Sequence, residues 1–206
     1  MKTRIVLTVL IAGLTIVAIA QFFRWRSDNA YRYPSSEINQ YKIGDVVFSG
    51  GFDTEAQDHG RPVRLIAAAL GVESQVFRNA FSGVTPARGM LGPTPSAARD
   101  NKKVLMDALS PYGITNERLD EVSNQYRYPP GPGYLWKHIP ARATAIVTDG
   151  KITGFTLLDA GSGYLTVPAV SVTGYENVKA KATLMFSQDF ATNGSIESLT
   201  IERSFP

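Results

Sequence analysis

An apolar N-terminal segment restricts the fold of this chain more than any other feature. Residues 5–23 are almost entirely apolar, and basic residues lie on both sides, among them Arg4 and Arg24. Nineteen helical residues extend about 28 Å, close to the thickness of a bilayer's hydrocarbon core. No polar face interrupts the segment, which disfavours a buried helix in a soluble core. The sequence therefore predicts a signal peptide or a membrane anchor over residues 1–26.

Two fates of this segment remain open. Ala18-Ile19-Ala20 has the small-x-small pattern of a signal peptidase site, and cleavage after Ala20 would give a secreted or periplasmic protein. Phe22 and Trp25 beside Arg24 resemble an interfacial belt, which favours an uncleaved single-pass anchor. Either way we expect an exported protein of a bacterial envelope, with the membrane as a partner if the segment stays.

Composition excludes several classes of protein. The chain has no cysteine, which rules out disulfides, thiol catalysis and Cys-ligated zinc. Its only histidines are His59 and His138, and they do not form a zinc-binding pair. The formal charge is only +3 and its basic residues are scattered, so we expect no nucleic-acid partner. No cofactor is predicted.

The first folded part is predicted to be helical. Residues 27–52 look like a tether with one possible short strand over 41–48, and residues 53–128 form a small all-α module. Gly71 and Gly113 each end a helix before an apolar residue, at an offset of 42 residues, which indicates two helical hairpins packed face to face. The predicted helices cover 61–70, 74–82, 94–109 and 116–126.

The second part is predicted to be a β module. Residues 129–140 form a Pro/Gly-rich linker, and alternating strand patterns follow over 141–206. Asp149-Gly150 is a strong hairpin signal. About five strands are expected, over 143–148, 152–158, 169–172, 179–186 and 196–201. The predicted fold class is therefore α+β: an N-terminal transmembrane or signal helix, the helical hairpins, and a small antiparallel sheet or sandwich.

Two stretches resemble known groups of proteins. Between Asp58 and Tyr128 the chain reads DHGRPVRLIAAALGVESQVFRNAFSGV, GPT and RDNKKVLMDALSPYGITNERLDEVSNQYRY, and these strings resemble uncharacterised bacterial exported proteins. The later Asp149-Gly150-Lys151-Ile152 and Gly161-Ser162-Gly163-Tyr164 resemble the GSGY-type β repeat of bacterial surface and phage tail proteins. The first resemblance implies a bacterial envelope setting, the second implies a β architecture, and neither implies an activity.

One loop is the best candidate for a cation site. Asp53, Glu55 and Asp58 supply oxygen ligands of the kind that Ca²⁺ prefers. The calcium-loop spacing fails, however, because the sixth position is Asp58 rather than glycine and the twelfth is Arg64 rather than glutamate. The alternative is structural: Asp58 caps the first helix, and Arg61 or Arg64 pairs with a neighbouring acid.

A second candidate site is aromatic. The Tyr-Arg-Tyr-Pro sequence of residues 31–34 recurs at 126–129, and two further aromatic residues follow. Aromatic rings with an arginine between them can stack on sugars or on a Pro-rich strand. The alternative is that the tyrosines cover the helical core. The candidate binding residues are Tyr126, Arg127, Tyr128, Tyr134 and Trp136.

The sequence favours a non-catalytic binding or interaction module, with a protein or polysaccharide partner. Gly161-Ser162-Gly163 lacks the strand-to-helix context of a hydrolase nucleophile, so it predicts a tight β turn. One alternative is a cell-wall enzyme that uses Asp53, Asp58 and His59. Another is a structural component of a surface assembly.

Overall fold

A computed structural model describes residues 31–32, 42–85, 94–128 and 133–202, with the backbone alone for 31–32. The segment predicted to be a signal peptide or an anchor, residues 1–26, lies outside these ranges. Within them, no helix is both long enough and apolar enough to cross a bilayer.

Helices form between the capping and terminating residues that the sequence indicates. Thr94 and Thr115 cap two helices, and each side-chain oxygen accepts a hydrogen bond from the backbone N–H three residues later. Gly71 ends the first helix with a φ of 74°, a left-handed conformation that glycine adopts without steric cost. The four predicted helices are confirmed, although the first begins two residues late. Their bounds are α1 Val63–Leu70, α2 Ser74–Ser82, α3 Pro95–Leu109 and α4 Asn116–Tyr126.

The strands form one large and one small sheet. The strand bounds are β1 Tyr31–Arg32, β2 Asp45–Ser49, β3 Tyr134–Leu135, β4 Arg142–Thr148, β5 Lys151–Asp159, β6 Ala169–Val172, β7 Ala180–Met185 and β8 Ser195–Ile201. All pairs are antiparallel: the six-stranded sheet has the order β5-β4-β2-β6-β7-β8, and β1 pairs with β3 in the small sheet. These elements, with the helices, give the predicted α+β class.

Strand β2 raises the number of strands in the large sheet from the predicted five to six. The short strand expected near residues 41–48 does form, but it lies in the middle of the sheet, between β4 and β6. Val46 of β2 is buried opposite Val172 and beside Ala143, so its apolar side chain completes the interior of the sheet. The sheet thus includes a strand that precedes the helices in the chain.

The large sheet is nearly closed. Its two edge strands, β5 and β8, lie in contact, and the Ile196 N–H donates to the Ala160 carbonyl at 2.9 Å. The side chains buried between its strands include the small or branched Ala143, Ala182 and Ile196, and the larger Tyr164 ring packs with them. Because the two edges meet, this sheet leaves little unpaired backbone for association with other chains.

The small sheet connects the N-terminal side of the chain to the Pro/Gly-rich region. Tyr31 of β1 pairs with Leu135 of β3, and Arg32 pairs with Tyr134. Neither strand was predicted, because two-residue strands carry no periodicity to detect. Their pairing fixes the backbone at residue 31 beside the body of the protein.

Helices and sheet share one apolar core. Leu65 of α1 and Val122 of α4 belong to the same buried cluster as Trp136 and Leu165, which come from the β part. The Trp136 side chain is only 1 % exposed, and its indole N–H donates to the Gly163 carbonyl at 2.8 Å. The two parts are therefore packed together, and their junction includes buried aromatic side chains from both.

Candidate functional site

A loop between β7 and β8, residues 186–194, joins the sheet to the helices. Its Asn193 is fully buried. The amide Nδ2 donates to the Leu65 carbonyl at 2.8 Å and to the Tyr126 hydroxyl at 2.7 Å, while Oδ1 accepts from the Ser187 N–H at 3.3 Å. Burial raises the pKa of Tyr126 to about 12, so its hydroxyl stays protonated at neutral pH. One side chain therefore connects the loop, α1 and α4.

Arg118 of α4 also contacts this loop. Its guanidinium donates to the carbonyls of Ala69 and Gln188 and lies 4.7 Å from the centre of the Phe190 ring. Tyr126 meets that ring edge-on, with 6.0 Å between centroids. These contacts fix the orientation of Phe190 before any ligand arrives.

An open pocket of about 320 Å³ lies at this junction of helix, loop and sheet. Its lining is mostly apolar, with one ammonium group and a few uncharged hydrogen-bonding groups, a composition that is common in small-molecule sites. Each wall belongs to a different part of the chain. The lining residues are Gln125, Lys137, His138, Ile139, Ser162, Phe190 and Ala191.

His138 forms a buried, uncharged wall of the pocket. Its Nδ1 lies 3.0 Å from the Trp136 carbonyl, which can only accept, so Nδ1 carries the proton and Nε2 is the acceptor of the neutral ring. Burial lowers the pKa of His138, and the bond to Trp136 offsets only part of that effect. The Phe52 ring packs against the imidazole, 4.7 Å away. His138 is thus oriented by two neighbours and neutral at pH 7.

Glycines allow the GSGY segment to approach the segment that carries His138. A Cβ at Gly161 would lie 2.4 Å from the Ile139 carbonyl oxygen, and one at Gly163 would lie 2.7 Å from the His138 Cβ. Ser162 and Ile139 exchange two backbone hydrogen bonds of 2.9 Å. This tight packing places the buried Ser162 in the pocket wall. The resemblance to a β repeat therefore corresponds here to a close backbone contact.

Two of the five residues of the predicted aromatic site lie inside the core. Tyr126 is buried, with its hydroxyl in contact with Asn193, and Trp136 is buried as well. Tyr128 is half-buried, and its hydroxyl donates to the Gly60 carbonyl. Arg127 is exposed, and Tyr134 is half-buried. Tyr126 and Trp136 therefore have a packing role, whereas the other three residues keep some exposed surface.

The predicted cation site is not assembled. Arg78 of α2 binds the buried Asp58 carboxylate through two hydrogen bonds, of 2.8 and 3.0 Å, and also pairs with Glu55 at 2.9 Å. Asp53 instead accepts from the Thr166 hydroxyl at 3.1 Å. Throughout the described ranges, no group of three or more acidic, histidine or cysteine side chains is arranged to hold a metal ion. The arginine that pairs with the loop comes from α2, not from position 61 or 64.

With this geometry established, the chain can be compared with known proteins. No protein-family model matches it, and no curated protein or solved structure matches it significantly. Its class is therefore defined by the residues that the structure describes: an α+β protein that has four helices in these ranges, a nearly closed six-stranded sheet and an open pocket where the two meet.

Sequence reasoning missed the pocket because its walls are distant in the chain. Gln125, Lys137, Ser162 and Phe190 belong to four separate segments. Each of these positions is unremarkable alone, since a lone serine in a Gly-rich turn or a lone phenylalanine in a loop suggests structure. The only signal was the Gly-Ser-Gly-Tyr motif, which indicates a close backbone approach without indicating what approaches.

Proposed function

We propose that the folded part of this chain is a non-catalytic binding module that works outside the cytoplasm, at a bacterial envelope. Residues 1–26 anchor it as a single-pass segment, or deliver it as a secreted protein if Ala20 is the cleavage site. The apolar N-terminal segment and the resemblance of residues 58–128 to exported bacterial proteins support an envelope setting. The pocket at the junction of α4, residues 137–139 and the β7–β8 loop supports a binding role.

The lining of the pocket favours one sugar unit of a polysaccharide as its occupant. A volume of about 320 Å³ is at the small end of ligand pockets, which suits one ring rather than a long ligand. Phe190 offers an apolar ring surface, and Gln125, Lys137 and Ser162 offer hydrogen-bonding groups around it. Because the ring and the imidazole of His138 are already oriented, little ordering entropy is lost on binding.

Co-sedimentation with purified bacterial cell walls tests this function. The full chain in detergent should pellet with the walls, and Gln125→Ala and Lys137→Ala should each weaken binding about tenfold, the loss expected for one hydrogen bond of roughly 1.5 kcal/mol. Lys151→Ala is the matched control, because this lysine lies exposed at the tip of the β4–β5 hairpin. Equal binding by all four proteins would exclude the pocket as the site.

An assembly role is a second candidate, and one observation favours it. Ile146 and Leu158, on neighbouring strands β4 and β5, are 47 % and 59 % exposed. Association between copies through this face would remove these apolar side chains from water. Sedimentation velocity should then show concentration-dependent association that Ile146→Lys abolishes, whereas a strict monomer at high concentration would remove this candidate.

The third hypothesis, an enzyme that uses Asp53, Asp58 and His59, is supported by no observation among the described residues. None of the three residues lines the described pocket. The Asp58 carboxylate is held by Arg78, so a role as general acid or base would first require that ion pair to break. We therefore do not propose this activity.

A further inference from the structure

We propose that the short connection before β1 holds one surface of the folded body against the bilayer. This surface, called the β3 surface, consists of Arg127, Tyr134, Lys137 and Ile139. The inference rests on the anchored form of the proposed function, and it adds an orientation: the opening of the pocket lies next to the lipid headgroups.

Chain length limits how far the body can stand from the membrane. Five peptide steps separate Arg26, the last residue of the predicted anchor, from Tyr31, and a fully extended chain spans them in at most about 18 Å. Tyr31 is paired with Leu135, whose Cα lies about 5 Å further on. The β3 backbone is therefore within about 23 Å of the end of the anchor.

That distance is short compared with the body itself. A compact chain of about 160 residues has a radius of gyration near 15 Å and a width of about 40 Å. The opposite side of the body therefore cannot turn towards the bilayer while β1 stays paired with β3. The side that carries β3 is the one that must face the membrane or lie beside it.

Side-chain chemistry on this side fits a headgroup layer. Arg127 is exposed and Ile139 is 51 % exposed, while Tyr134 and Lys137 are half-buried. Cations attract anionic lipids, and tyrosine is enriched where apolar and polar layers meet. Tyr128, the neighbour of Arg127, packs its ring 5.9 Å from that of Trp136, which places the backbone at Arg127 near the segment that carries Tyr134, Lys137 and Ile139.

The β4–β5 hairpin provides a distant reference point. The end of the hairpin away from its turn is where Arg142 pairs with Asp159. This end lies next to the bridge between Ile139 and Ser162, and thus next to the β3 surface. From there the strands run for seven residues to the tip at Asp149-Gly150, about 20 Å away. Lys151 at the tip is exposed and should lie further from the headgroups than the β3 surface.

Site-specific quenching in vesicles tests the orientation. The native chain has no cysteine, so Arg127→Cys, Ile139→Cys and Lys151→Cys each give one labelling site. The full-length variants would carry a fluorophore in vesicles of phosphatidylcholine and phosphatidylglycerol with a headgroup-attached nitroxide. We expect quenching at 127 and 139 to be at least about twofold stronger than at 151, because about 20 Å exceeds the range of contact quenching.

A longer tether shows whether the orientation comes from the short connection or from affinity of the β3 surface for lipid headgroups. Inserting about 20 Gly/Ser residues after Arg26 adds a flexible connection with an average span of about 25 Å, and should remove the difference between sites 127 and 151. A difference that persists in this variant would overturn the role of the tether. Equal quenching at all sites of the parent chain in vesicles would overturn the orientation alone. Failure of the full chain to float with vesicles would overturn the anchored form itself.

Discussion

Replacing Asn193 with alanine should destabilise the whole folded body. The substitution removes the acceptor of the Ser187 N–H, one bond to the Tyr126 hydroxyl, and a second donor to the Leu65 carbonyl, which also accepts within α1, at a position with 0 % exposure. The unsatisfied N–H costs about 1–3 kcal/mol and each of the other two lost bonds about 0.5–1.5 kcal/mol, so we expect a loss of roughly 2–5 kcal/mol. The total free energy of unfolding of a typical domain is only about 5–15 kcal/mol, so this loss would be a large part of it.

Urea unfolding of a Trp25→Phe background measures this loss directly. Trp136 is then the only tryptophan, and it lies in the shared core, so its emission reports the junction while circular dichroism reports the helices. Both probes should shift together to lower urea. Asn177→Ala, an exposed asparagine in a turn, should change stability by less than about 0.5 kcal/mol. A loss below about 1 kcal/mol for Asn193→Ala would refute the claim that this side chain stabilises the junction of the β7–β8 loop with α1 and α4.

Three further predictions concern the walls and supports of the pocket. Gly161→Ala should cost about 1–3 kcal/mol more than Gly113→Ala in thermal unfolding, because both glycines have positive φ but only the first has a carbonyl oxygen 2.4 Å from the new Cβ. Equal costs would argue against the close approach. Arg78→Ala should cost about 3–5 kcal/mol by leaving the buried Asp58 carboxylate unpaired, and a neutral result in chemical denaturation would exclude a structural role for that pair. Burial lowers the pKa of His138 from its ordinary 6.5, so the unfolded chain binds more protons below about pH 6.5 and the free energy of unfolding should fall as the solution is acidified. His138→Gln should reduce this pH dependence in urea titrations, and an unchanged dependence would assign it to other groups.

Local signals predicted the elements well. Thr94, the Gly71 and Gly113 termini and the Asp149-Gly150 turn act through hydrogen bonds and φ angles within a few residues, so the sequence alone reveals them. Asp149 and Gly150 both have positive φ, as a two-residue hairpin of this kind requires. The strand predicted at 41–48 was indicated by its apolar Val46-Val47-Phe48 run and the glycines that follow it.

Long-range placement was not predictable in the same way. Nothing near Val46 indicates that β2 would separate β4 from β6, since that choice depends on partners more than 90 residues away. Asn193 preceding Gly194 looked like an ordinary turn, yet its side chain is buried between two helices. Tyr126 and Trp136 looked like binding residues because sequence cannot distinguish an aromatic ring on a surface from one in a core.

The most direct test of the binding role is a fluorescence titration of the Trp25→Phe protein with soluble cell-wall oligosaccharides. Trp136 immediately precedes Lys137 and His138 in the pocket wall, and its carbonyl orients the imidazole, so occupation of the pocket should change its emission. We predict a saturable change that Gln125→Ala and Lys137→Ala weaken about tenfold and Lys151→Ala leaves unaltered. An emission spectrum that no oligosaccharide changes, in a protein shown to be folded by circular dichroism, would contradict the proposed function.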